Sequence, residues 1–167
     1  MTVTIRKLHQ DENAQTFAEY INEIIAENAF IHLDTPVSAD DEKAWLQKIF
    51  YDSQHGNAGL FIAEENGKPI GISHWEKGDQ RESGNVIVGI TIAQHHRGHG
   101  LGRELFNACI QDAQRHKPKN IWLKVVAGNT PAIRLYESLG FKRVAVLPKW
   151  YAYPDGVKDV DIMVLSQ

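Results

Sequence analysis

A mixed α/β fold, one sheet covered by helices, is what this chain predicts, and three observations carry that expectation. Apolar residues switch repeatedly between a period of two and a period near 3.6, which gives the order βααβββαβαββ. Asn66-Gly67 stands between two β-like runs, and both residues tolerate the positive φ of a tight hairpin. From Val86 to Arg103 a β-rich apolar run passes through a turn with alternating glycines straight into a helical pattern.

Taken in order, Thr2 to Leu8 alternates around Val3 and Ile5 and reads as a strand. From Asp11 a helical pattern places Phe17, Ile21, Ile24 and Ile25 on one face. Asn28 to Val37 is loop-like, since Pro36 forbids a continuous helix. Ser38 can cap a second helix, with Asp40, Asp41 and Glu42 complementing its dipole and Trp45, Leu46, Ile49 and Phe50 on its buried side. Gly59 to Glu64 and Pro69 to Glu76 form the hairpin, and Lys77 to Gly84 is a charged loop. A strand from about Asn85 to Ile92 leads into the glycine turn and a helix ending near His116, before the Lys117-Pro118 break. After a strand at Ile121 to Val126, Thr130 is the candidate cap and Pro131 the first residue of another helix, which Gly140 ends. Phe141 to Leu147 and Val160 to Leu165 are two last strands around a loop containing Tyr, Pro and Gly.

The 167 residues suffice for one domain, 1–167, with a real core. A formal charge of −3 disfavours a nucleic-acid partner. The single cysteine, Cys109, excludes an internal disulfide and a Cys-based zinc cluster. Met1 to Lys7 lacks signal-peptide anatomy, and no run approaches the roughly 20 apolar residues of a membrane span. The expectation is a soluble cytoplasmic protein with no membrane partner; a homodimer is left open.

The glycine turn points to an anionic ligand. A helix start offers free N–H groups and the positive end of its dipole, and Gly98, Gly100 and Gly102 let an anion lie on the main chain. A dinucleotide site is not indicated. The spacing is Gly98-His-Gly-Leu-Gly102, Arg occupies 103, and no acidic residue closes Ile121 to Val126. A Walker loop fails as well, since no Gly-Lys-Ser/Thr follows. On spacing alone, a plain glycine-rich connection competes evenly with a ligand site.

Arg97-x-x-Gly100-x-Gly102 between a strand and a helix, Asn129 just beyond the next strand, and the helix in Asn129-Thr-Pro-Ala-Ile-Arg-Leu-Tyr-Glu-Ser-Leu-Gly-Phe141 together resemble the GNAT superfamily of N-acetyltransferases. The likeness is sharp from Val86 to Phe141 and looser before Ala58. It implies a mixed, mostly antiparallel central sheet flanked by helices, and transfer of an acetyl group from acetyl-CoA to an amine. By that resemblance the main chain of Ile90, Thr91 and Ile92 pairs with the pantetheine arm. The amides of Arg97, Gly98, His99, Gly100, Leu101, Gly102 and Arg103 hold the pyrophosphate, and Asn129 bonds the coenzyme arm. Arg97 otherwise reads as an exposed arginine, and Asn129 as turn chemistry.

Tyr136 lies on the helix side of Ala132 and would otherwise read as core. The matching tyrosine of the family protonates or stabilises the departing CoA thiolate. A protonated amine cannot attack, so a base or water chain must take its proton. Many relatives that acetylate protein N-termini carry a glutamate where this chain has Lys124, which removes that base from the carry-over. His74, Glu76 and Glu82 are the candidates in its place, each also readable as a surface or sheet residue. His95, His96 and His99 suggest a metal, but no His-Glu-x-x-His pattern appears, and no metal is expected. The aromatic loop from Trp150 to Gly156 resembles the wall of an acceptor site, with Phe30, Ile31 and His32 opposite. The expected activity is direct attack of a primary amine, of a small molecule or a peptide, in a ternary complex. The alternative is a noncatalytic acetyl-CoA-binding or regulatory domain.

Overall fold

The structure is a computed structural model and describes residues 2–166. Four helices cover a sheet of seven strands: β1 Thr4–Lys7, α1 Ala14–Ala26, α2 Ala39–Gln54, β2 Ala58–Glu65, β3 Lys68–Lys77, β4 Asn85–Ile92, α3 Leu101–Gln114, β5 Asn120–Val126, α4 Thr130–Ser138, β6 Lys142–Tyr153 and β7 Gly156–Ser166. The sheet order is β1-β2-β3-β4-β5-β7-β6. Every neighbouring pair is antiparallel except β4 with β5, which is parallel. The mixed, mostly antiparallel sheet expected from the sequence is therefore present.

Strand β2 explains how the two helical layers are held. Its residues are buried on both faces, so it reads as a continuous apolar run rather than an alternation. Leu60 and Ile62 join Phe17, Ile24, Leu46 and Ile49 under α1 and α2. Phe61 and Ala63 face the other way, toward Leu105, Phe106 and Cys109 of α3. Burial pushes the Cys109 thiol up to about 12, which leaves it inert packing.

The local signals held where the chemistry was local. Asn66 and Gly67 take φ of 52° and 74° at the hairpin. Ser38 caps α2 in a reciprocal capping box with Asp41. At α4 the expectation shifts by one residue: Asn129 is the cap, without a side-chain capping bond, and Thr130 turns its hydroxyl back to the Gly128 carbonyl. The largest departure is at the end of the chain. Trp150 to Tyr153 is not loop but the second half of β6, paired with β7 down to Tyr153↔Gly156. A register shift between Leu147 and Tyr151, with Lys149 at a φ of 52°, absorbs Pro148 inside the strand.

One buried polar node ties the first strand to the centre. Asp112 of α3 accepts from Trp75 Nε1 at 3.0 Å with one oxygen and from Lys7 Nζ with the other. Gly59 lies against it; a Cβ there would stand 2.3 Å from Trp75 Nε1 and 2.8 Å from Asp112 Oδ2. Gly59→Ala should therefore cost about 1–3 kcal/mol by overpacking, read as a lower thermal midpoint. An unchanged midpoint would mean that the Trp75 ring shifts freely.

Candidate active site

Strands β4 and β5 pair only from Asn85↔Asn120 to Ile87↔Trp122 and then part. Beyond that point β4 is paired on one side, to β3 as far as Gly71↔Ile92, while β5 remains paired to β7 as far as Val126↔Val160. The gap opens a cleft of about 1660 Å³ through the middle of the sheet. Val88 to Ile92 form one wall, Lys124 to Val126 and the start of α4 the other.

At one end of the cleft lies the glycine turn. A short 3-10 turn, Gln94–His96, brings the chain off β4, and Gly98 and Gly100 take φ of 80° and 88°, which L side chains rarely adopt. Among the described residues, the amides of Gly98, His99, Gly100, Leu101 and Gly102 have no main-chain acceptor. The two ends of the expected run are engaged instead: the Arg97 amide donates to Gln94 O at 3.2 Å and the Arg103 amide to Gly100 O at 3.0 Å. Five adjacent donors at a helix start are a preorganised anion nest. Gly98, Gly100 and Gly102 line the cleft, whereas His99 and Leu101 line a second cavity of about 250 Å³ with Val3 and Ile5.

Arg97 lines the cleft but is already occupied. Its Nε donates to Ile92 O at 2.8 Å and its guanidinium pairs with Glu27 at the end of α1. Arg103, whose guanidinium donates to Ser138 Oγ at 2.7 Å, and Arg134 of α4 are further cations at this end. Thr91 is held by Tyr20, hydroxyl to hydroxyl at 2.8 Å. The Asn129 carboxamide lines the cleft with no partner among the described residues.

Tyr136 forms part of the floor. It is buried against Phe106 and Phe141, with ring centroids 5.2 and 6.0 Å away. Its hydroxyl has no hydrogen bond among the described residues, yet the residue lines the cleft. Burial raises its pKa above the ordinary phenol value, so it stays a proton donor at neutral pH.

The other arm is aromatic and acidic. Trp45, His74 and Glu76 line it, as do Phe30, Trp150 and Tyr151. Tyr153 donates its hydroxyl to Ile31 O at 3.0 Å and meets the Phe30 ring edge-on at 5.8 Å, so the β6–β7 hairpin is tied to the loop between α1 and α2. Lys124 Nζ stands over the Trp122 and Trp150 rings, at 6.0 and 5.8 Å. Of the expected bases, His74 and Glu76 reach the cleft. Glu82 does not, since it sits in a short turn, Gln80–Glu82, before β4 begins. Burial holds the His74 imidazole below its ordinary pKa, with Glu76 opposing and His32 adding to the shift. Among the described residues no group of three or more His, Cys, Asp or Glu side chains is placed to hold a metal ion.

Glu42 of α2 also lines this arm and was not singled out by sequence reasoning, which used it only as a complement to the helix dipole. Its spacing to Trp45, Leu46 and Ile49 was the available signal, since 42, 45, 46 and 49 share one helix face.

Residues 10–141 match the model of the acetyltransferase (GNAT) family. The chain belongs to the GNAT acetyltransferase family. It is 30% identical over 121 residues to the ribosomal protein bS18 alanine N-acetyltransferase of Escherichia coli K12, a match covering 72% of this chain and 80% of the relative. A mycothiol acetyltransferase of Thermomonospora curvata is 42% identical over 89 residues, covering 53% of this chain but 29% of that longer relative. A Salmonella typhimurium protein solved with its cofactor acetyl-CoA superimposes with a TM-score of 0.85 at 26% identity, over 99% of this chain and 94% of that one. The GNAT chain is thus an acetyltransferase, and the noncatalytic alternative is not favoured. No helix among the described residues is long and apolar enough to cross a membrane.

His74 offers a direct check on the electrostatics of the aromatic arm. Side-chain NMR titration should place its midpoint below the ordinary 6.5 of histidine. Protonation is then disfavoured by folding, so the group withdraws stability as pH falls below 6.5. A midpoint at or above 6.5 would mean that Glu76 outweighs burial.

Proposed function

We propose that this protein, treated as one domain over residues 1–167, binds acetyl-CoA along the parted edge of β4 and transfers the acetyl group to a primary amine by direct attack in a ternary complex in the cytoplasm. The observation that carries the reading is the parting of β4 from β5 beside five free amides. The pyrophosphate is held by the amides of Gly98 to Gly102, which need no net positive protein. The main chain of Ile90, Thr91 and Ile92 runs beside the pantetheine arm, where β4 has no strand partner on its cleft side. Asn129 supplies a carboxamide to the same arm. Arg97 holds the turn to β4 and α1 through Nε and Nη2, which leaves Nη1 for the phosphate.

The acetyl carbon then faces the acceptor arm, and the amine nitrogen forms its bond to that carbon as the C–S bond breaks. Tyr136 donates to the leaving sulfur as a phenol kept protonated by burial. His74, kept neutral by burial, takes the proton from the amine directly or through water. Lys124 cannot serve as that base while its ammonium is protonated. It stands over Trp150 and shapes the wall instead. The acceptor amine, on a small molecule or a peptide, lies between Trp150 and the loop carrying Phe30.

Two measurements test the halves of the site separately. Gly100→Val places a β-branched residue at a φ of 88° in the middle of the nest, and should weaken acetyl-CoA binding on the order of 100-fold in calorimetry. Unchanged affinity would sink the pyrophosphate assignment. Tyr136→Phe should lower kcat by about 10²–10⁴-fold with acetyl-CoA affinity kept within a small factor. A variant as active as the parent would mean that water protonates the thiolate.

A further inference from the structure

Four carboxylates line the cleft among the described residues, and three of them are spoken for. Glu27 pairs with Arg97, Asp41 is held in the Ser38 capping box, and Glu76 is bound by Lys48 at 3.3 Å with His74 at 3.8 Å. Glu42 is different. It is 8% exposed, its carboxylate makes no hydrogen bond or ion pair among the described residues, and its oxygens meet solvent only through the cleft. It occupies a buried position on α2, one turn before Trp45, and both side chains open into the acceptor arm.

A carboxylate taken out of water without a partner is costly unless something cationic arrives to meet it. No described residue does so, and partial burial raises the Glu42 pKa. The cations of the cleft are elsewhere: Arg97, Arg103 and Arg134 stand at the glycine-turn end, and Lys124 is exposed on the far wall over two tryptophan rings. The cleft therefore has a cation-rich coenzyme end and, in the acceptor arm, one unpaired buried carboxylate among aromatic rings. Trp45, one turn along the same helix face, lines the same arm, and an ammonium ion suits both a carboxylate and an aromatic ring.

We infer that Glu42 is the specificity residue of the acceptor arm: it receives the acceptor as a cationic amine lacking a carboxylate of its own. This rests on the proposed acetyl transfer only for the identity of the arm that the acceptor enters. An acceptor with a carboxylate next to its amine brings a second negative charge against Glu42. An alkyl- or arylalkylamine does not.

The test compares binding of 2-phenylethylamine, the uncharged 2-phenylethanol and phenylalanine by calorimetry, to the free and the CoA-saturated protein, in the parent and in Glu42→Gln. The amine should bind the parent at least about 10-fold more tightly than either other probe, and that preference should fall within about 2-fold in Glu42→Gln. Acetyl-CoA affinity should be unchanged, and the thermal midpoint should hold or rise, because the substitution removes an unpaired buried charge. Equal binding of the three probes to the parent would overturn the inference, as would a preference for phenylalanine or a preference that survives Glu42→Gln. A lower midpoint with all three affinities falling together would make Glu42 a structural residue and overturn it too. Turnover is not needed for any of these readings. A parent protein that ignored acetyl-CoA would overturn the proposed reaction, while the amine preference on the free protein would still be judged by the same comparison.

Discussion

Everything in the cleft depends on two strands that cease to pair. Strands β4 and β5 are the one parallel pair in the sheet, and they stay together for three residues before diverging. A sheet edge in the interior of a protein leaves main-chain groups that must find partners or water. Here the same parting that leaves the β4 edge unpaired also makes room for a ligand to approach it. The free amides after β4 extend that unpaired line into the turn, which on the proposed reading gives a long, flexible, anionic molecule continuous main chain to follow.

How much of this was legible follows from the range of each interaction. The glycine turn could be read because its chemistry is contained in a few neighbouring residues: positive φ at Gly98 and Gly100, and a helix beginning at Leu101. Ser38 and Asn66-Gly67 were legible for the same reason. The engagement of Arg97 was not, because its partner Glu27 lies 70 positions earlier. The second half of β6 was missed for a different cause. Its residues are mostly exposed and carry no apolar alternation, so only pairing with β7 makes them a strand. Glu42 misled in the opposite direction. A local explanation, the helix dipole, was sufficient, and it hid the fact that the same residue lies on the buried stripe.

The two arms of the cleft do different physical work. On the proposed reading, the arm beside the glycine turn recognises its ligand mainly through main chain, with Asn129 and three arginines added at its margin. The aromatic arm is built of residues from α2, β3, the loop after α1 and the β6–β7 hairpin. Tyr136 sits between them, anchored by Phe106 and Phe141 in the core rather than by either ligand.

The bond from Tyr153 to the Ile31 carbonyl joins parts of the chain 122 residues apart. It makes the aromatic arm of the cleft a closed frame whose span is set by how far the β6–β7 hairpin reaches. Lengthening or shortening that hairpin by a residue pair would move the Tyr153 tie and resize the opening, while leaving the coenzyme half as it is. The width of that opening is then a property of a single ribbon rather than of the sheet.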